Sequence, residues 1–169
     1  MTKFISIDPS LNNTAIVWGY IHDNGILQPL DYQISITNKS KEKIAVAQDI
    51  VNRAAQTMDM IADIIFRWNP DYCFGEFPSG SQSSSAMRSY GVSCCYLAML
   101  PNFTGVTPNE VKKVTGIKNA SKDDMMDWAE AAYPEFPWER KKDGTLIKGR
   151  MEHVADSIAI AEIAKNKIK

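Results

Sequence analysis

Two short apolar runs in this chain are each closed by an acid and then broken by proline, which narrows what the chain can fold into. Phe4-Ile5-Ser6-Ile7 ends at Asp8, with Pro9 next; Cys73-Phe74-Gly75 ends at Glu76, with Pro78 two residues on. Proline has no N–H and cannot extend a strand ladder, so each run reads as a buried strand with a carboxylate at its end. Further on, Glu152-His153-Val154-Ala155-Asp156-Ser157-Ile158-Ala159-Ile160-Ala161 sets His153 and Asp156 three residues apart, on one side of a helix. If the two strands are neighbours and the helix crosses their ends, three carboxylates and an imidazole converge. Such a cluster repels itself without a cation, so the pattern argues for bound metal.

The segments between these points predict a mixed sheet. Lys3 to Ile7, Thr14 to Ile21 and Ile26 to Ile36 read as three strands, the last two joined as a hairpin by Asp23-Asn24-Gly25. Ser40 reads as the cap of a long helix to about Arg67, with Ile44, Ala47, Ile50, Val51, Ala54, Met58, Ile61 and Ile65 at helical spacing, stopped by Asn69-Pro70. Asp71 to Phe77 is a fourth strand. The polar run Ser79 to Ser85 follows, then a helix from about Ala86 to Met99, a short strand Phe103 to Val106 and a brief helix to Thr115. Ser121-Lys122-Asp123-Asp124 caps a helix through Ala132, and Asp123, Asp124 and Asp127 are read as acids favouring that helix's dipole rather than as a site. Glu135 to Arg150, polar and basic with Asp143-Gly144, reads as a mobile surface loop before a last helix from Met151 to Lys165. The order is that of an α/β fold, a mixed five-stranded sheet flanked by helices, in which the fourth strand can lie beside the first. No internal repeat or second boundary divides residues 1–169, so one domain is expected.

Composition narrows the function classes. With 44% hydrophobic and 23% charged residues the chain is an ordinary globular protein. No apolar stretch reaches the ~20 residues of a membrane span, and the first eight residues are too short and too soon acidic for a secretion signal, so a cytoplasmic location is expected. Cys73, Cys94 and Cys95 form no CxxC pair, are read as small core hydrophobes and leave zinc without a thiolate pair. Formal net charge is −1, but residues 1–76 hold 6 Lys and Arg against 9 Asp and Glu, while residues 77–169 hold 13 against 11. The later bases, among them Lys112, Lys113, Lys118 and Lys122, the Arg140-Lys141-Lys142 run and the Lys165 to Lys169 tail, permit a nucleic-acid face.

Four segments in order resemble RuvC-type Holliday-junction resolvases: Ile5-Ser6-Ile7-Asp8-Pro9-Ser10-Leu11-Asn12-Asn13-Thr14, Phe74-Gly75-Glu76, Asn109 to Lys122, and His153 to Ala161. The resemblance spans nearly the whole chain. It implies a ribonuclease H-like fold, a homodimer, and divalent-metal-dependent nicking of two strands of a four-way DNA junction, in a bacterial or phage-infected cell. Asp8, Glu76 and Asp156 fall on the family's metal-binding carboxylates, and His153 on a position where members carry Asp or His. Lys112 and Lys122, with Lys118 between them, fall in its DNA-binding face, and Gly91 on the glycine of its central helix. One departure stands out: bacterial members carry aromatic residues after the catalytic glutamate that help open the junction, whereas here Phe77 is the only aromatic nearby and the segment before Gly91 is shorter. A phage-type or divergent resolvase, acting on several branched DNAs, fits that shortening.

On this reading two ions, Mg²⁺ with Mn²⁺ able to substitute, flank the scissile phosphate. Asp8 bridges them, Glu76 holds one and Asp156 with His153 the other; His153 could instead orient the attacking water as a neutral base. Arg88 has two readings, a phosphate contact or a surface salt bridge. Three rivals remain. A sugar-kinase or actin-like ATPase needs a second domain and a glycine-rich phosphate loop that the chain lacks. A ribonuclease H-like nuclease cutting RNA–DNA hybrids shares the acidic triad. A catalytically silent branched-DNA-binding module would keep buried acids at a needless cost in stability.

Overall fold

The computed structural model describes residues 1–80 and 83–168; residues 81 and 82 of the serine-rich stretch and the final Lys169 of the basic tail lie outside the described residues. The chain opens with β1 (Thr2–Asp8), β2 (Asn13–Ile21) and β3 (Leu27–Ile36), an antiparallel meander. Gly25, at φ 81°, makes the turn between β2 and β3, where His22 N–H donates to the Ile26 carbonyl at 2.9 Å. α1 (Val46–Trp68) then carries the chain across to β4 (Tyr72–Glu76), which pairs in parallel with the free edge of β1. α2 (Ser84–Ala98) leads to β5 (Phe103–Val106), parallel to β4. α3 (Pro108–Lys112) runs into a short 3-10 turn, followed by α4 (Lys122–Ala132) and α5 (Lys148–Ala164). The strand order is β3-β2-β1-β4-β5, so the expected mixed five-stranded sheet flanked by helices is what forms, with β1 at its centre.

Alternation along β1 assigns the two cores. Phe4 faces a cluster built from α3, α4 and α5, while Ile5 and Ile7 face a second one built from α1 and α2. α5 is buried almost all round, because the sheet covers one side and α3 and α4 cover the other. Its apolar residues therefore occupy every face, the pattern of a central helix rather than a surface one. Ser121, the expected cap of α4, forms a capping box with Asp124, and α3 starts on a second one, Thr107 with Glu110. Asp123 and Asp124 lie in the first turn of α4, where Asp123 also pairs with Lys148 at 2.7 Å, while Asp127 lies beyond that turn.

Three expectations need correction. α1 starts at Val46, not at Ser40: the Ser40 N–H donates to Asp49 Oδ1 at 2.7 Å, pinning the preceding segment outside the helix. Of the cysteines only Cys73 is in the core, where burial pushes its thiol up to about 12. Cys94 and Cys95 are exposed, because Ser93, Tyr96 and Leu97 are the residues α2 turns inward. The segment 135–147 is anchored rather than mobile. Phe136 and Trp138 are buried, their rings 4.9 Å apart edge to face, Trp138 Nε1–H donates to the Tyr133 carbonyl at 2.9 Å, and Arg140 bridges to Leu146. Two aromatics set among charges have little weight in an averaged hydropathy, yet they bury a large apolar area. Among the described residues no helix is long and apolar enough to cross a membrane.

Phe136→Ala should destabilise the protein by about 3–5 kcal/mol in urea denaturation. A loss under about 1 kcal/mol would return the segment to the mobile loop that its composition suggests.

Candidate active site

The parallel pairing of β1 and β4 runs from Phe4 opposite Tyr72 to Ile7 opposite Gly75, so Asp8 and Glu76 are the next residues in line at the ends of adjacent strands. α5 crosses those ends, and one side chain sets its register. Ser157 Oγ donates to the Ala15 carbonyl and accepts from the Asp8 N–H, both at 3.1 Å, a pair of bonds tying α5 to β1 and β2 at once. With Ser157 fixed, His153 one turn earlier faces Asp8, and Asp156 turns into the same cleft. His153 Nδ1 lies 2.9 Å from Asp8 Oδ2, the two side chains 15% and 19% exposed. The loop after Asp8 is gripped from behind. Ser93 Oγ donates to the Pro9 carbonyl at 3.1 Å, and Arg53 donates to the Leu11 carbonyl, the Asn12 side chain and Thr37 while pairing with Asp49.

A cleft of about 180 Å³ opens beside this set. Glu76 and Asp156 line it together with Lys112, Lys122 and the start of α4. Burial pushes the Glu76 carboxyl up to about 8, with the charges of Asp8 and Asp156 adding to the effect and Lys112 opposing it. Burial likewise raises Asp156 to about 7, with Asp8 adding and His153 and Lys122 opposing. The hydrogen bond to Asp8 raises His153 against the opposing effect of burial. Glu76 and Asp156 thus both hold their protons more tightly than free carboxyls do, in one place.

That donor set suits a hard divalent cation: carboxylate oxygens with one borderline nitrogen, inside a cleft open to water. Among the described residues no three such groups stand placed to hold an ion, and Asp8 Oδ2 is bonded to His153 Nδ1. Rotation about χ angles between staggered positions is enough to redirect these short side chains. The chemistry of these donors, rather than their present placement, fits a divalent metal.

The other expected residues distribute unevenly. Lys112 and Lys122 flank the cleft; Lys118 is exposed on the loop between them. Arg88 is exposed in a separate, mainly apolar groove between α1 and α2, lined by Val46, Ile50, Val51, Met87, Gly91 and Cys95, and is not a wall of the cleft. Phe77 is 48% exposed, edge-on to the Phe103 ring at 5.8 Å. It lies over Gly105, where an added Cβ would come within 2.2 Å of the Phe77 ring, so β5 seats this aromatic by having no side chain there. Sequence reasoning missed Glu152, whose Oε1 is 3.0 Å from Lys122 Nζ and 3.5 Å from His153 Nε2. Its only signal was adjacency to His153. It also missed Ser157 and the Arg53–Asp49 pair, which look like ordinary helix residues.

No family model and no curated protein matches the sequence. Solved structures do. Thermus thermophilus RuvC in complex with a Holliday junction substrate superposes with a TM-score of 0.70 at 15% identity, over 96% of this chain and 92% of that one. The yeast mitochondrial Holliday junction resolvase Ydc2 gives 0.64 at 10% identity, over 96% and 77%. The fowlpox virus Holliday junction resolvase gives 0.57 at 14% identity, over 98% and 99%. The chain has the ribonuclease H-like fold of these proteins.

The raised acids set a pH dependence. Glu76, Asp156 and His153 each bind a proton more tightly folded than unfolded, so their contribution to stability is complete below about pH 4 and lost as pH rises toward about 8. In chelator the melting temperature should fall by about 3 °C or more between roughly pH 5 and pH 8.5. Millimolar Mn²⁺ should raise it more at the higher pH, where the acids are ionised. A melting temperature that rises over this range and ignores Mn²⁺ would remove the acids from a metal site.

Proposed function

We propose that the protein is a divalent-metal-dependent DNA endonuclease that resolves four-way junctions by paired nicking. The observation that carries this reading is the convergence of Asp8, Glu76, Asp156 and His153 beside a cleft flanked by Lys112 and Lys122. The likeness to three junction resolvases across nearly the whole chain supports it. Asp8 would be the shared ligand, Glu76 would hold one Mg²⁺ and Asp156 with His153 the second, and Mn²⁺ would substitute. Bound ions of this kind supply a water made nucleophilic at neutral pH and countercharge for the departing oxygen.

The chain's own groups do the rest. Lys112 and Lys122 hold phosphates on either side of the scissile one, positioning the strand without reading bases, and Lys118 extends that basic face. Asp8, at the end of a central strand and braced from behind by Arg53 and Ser93, is the most rigid ligand. His153 Nδ1, if freed from Asp8, would hold an ion or orient and deprotonate the attacking water. Arg88 lies too far into the other groove to serve the same phosphate and is assigned to a surface role. Phe77, displayed over Gly105 next to Glu76, is the aromatic available to stack on an opened base.

Paired nicking requires two copies. The apolar groove between α1 and α2 is the place for the second one: Val46, Val51 and Met87 are 54%, 59% and 56% exposed there, although they belong to the apolar stripes of their helices. All 169 residues then act as one nuclease domain, in the cytoplasm of a bacterial or phage-infected cell.

With Mg²⁺, labelled four-way junctions should be cut by symmetric nicks while linear duplex and RNA–DNA hybrid stay intact, and Asp8→Asn should lower the rate roughly 1,000-fold or more while still binding junctions. Light scattering of the free protein should report a dimer. Cleavage confined to hybrids would favour the hybrid nuclease instead, and binding to junctions with no cleavage under any divalent ion would leave a silent branched-DNA module.

A further inference from the structure

Glu152 stands next to the metal-binding set without belonging to it. Its carboxylate is 16% exposed, and its Oε1 meets both Lys122 Nζ, at 3.0 Å, and His153 Nε2, at 3.5 Å. The imidazole thus has a carboxylate on each side: Nδ1 turned to Asp8 at 2.9 Å, Nε2 turned to Glu152. A histidine that ligates a metal uses one nitrogen for the ion and gives the other N–H to an acceptor. That acceptor fixes the tautomer, holds the ring plane and makes the ligating nitrogen more basic.

We propose that Glu152 is the positioning residue of His153, accepting its Nε2–H so that the Nδ1 lone pair is directed at the ion held with Asp8. Lys122 completes the arrangement by pairing with the same carboxylate oxygen, which holds Glu152 on the inner side of α5. The inference rests on the metal-dependent reading above and deepens it. The 3.5 Å separation is longer than a well-made hydrogen bond, and such contacts tighten when the ligand arrives. A simpler role for Glu152, a solvated helix residue paired with Lys122 alone, differs in one respect: it would not act through the imidazole.

The test is calorimetric titration of the full chain with Mn²⁺, without DNA. Glu152→Ala should weaken Mn²⁺ binding by about 10–100-fold. Glu152→Gln, which preserves shape and one acceptor oxygen, should fold normally and lose less. In a His153→Ala background, Glu152→Ala should cause little further loss, because the two residues act as one unit. An equal loss in both backgrounds would make Glu152 a ligand or a diffuse charge effect and overturn the proposal. So would an unchanged affinity in Glu152→Ala. Absence of Mn²⁺ binding by the wild-type protein would overturn the proposed function together with this inference, which separates the two failures.

Discussion

A single buried hydroxyl decides how the longest buried helix meets the central strand. Ser157 Oγ spends its proton on the Ala15 carbonyl and its lone pair on the Asp8 N–H. Both partners are backbone groups at the end of the β1–β2 ladder, where ordinary sheet pairing runs out and an unsatisfied group would cost about 1–3 kcal/mol. Satisfying them with one side chain locks α5 in both translation and rotation. His153 and Asp156 inherit their positions from that lock, one turn and one residue before Ser157. The buried residues of α5 other than Ser157 are apolar, so among its buried groups the polar contact of Ser157 is what discriminates one register from another.

The site so built stores electrostatic strain. Burial, with the charge of Asp8 adding to it, raises Glu76 at a strand end to about 8 and Asp156 in the middle of α5 to about 7. His153 relieves part of this by bonding to Asp8, and Lys112 and Lys122 relieve more from the cleft walls. A divalent cation would relieve it further and from a shorter distance. The same lysines that moderate the acids face the approach of a phosphate. On the proposed reading substrate and metal binding would share an electrostatic origin, and Glu152, between Lys122 and His153, is where the two would meet.

Much of this was legible beforehand, and for physical reasons. Asp8 and Glu76 announced themselves because a strand that ends in acid then proline has few other uses, and the helical spacing of His153 and Asp156 put both on one face. The five strands followed from apolar runs and the Asp23-Asn24-Gly25 turn. What stayed hidden depends on tertiary partners. Phe136 and Trp138 sit in a charged stretch, and only the fold shows that both point inward. Ser40 has the chemistry of an N-cap, yet Asp49 bonds its N–H from within α1 and moves the helix start to Val46. Cys94 and Cys95 look apolar enough for the core but fall on the side of α2 that the sheet does not cover. Glu152 could not be told from any exposed helix acid until its neighbours across the cleft were known.

The most direct measurement is anomalous diffraction from crystals of the protein soaked in Mn²⁺ near pH 8. The account predicts Mn²⁺ peaks between Asp8 and the cleft lined by Glu76 and Asp156, with His153 Nδ1 turned from Asp8 to an ion and Nε2 closed onto Glu152. Peaks only at Asp123 and Asp127, or none while Asp8 and His153 keep their mutual bond, would contradict it.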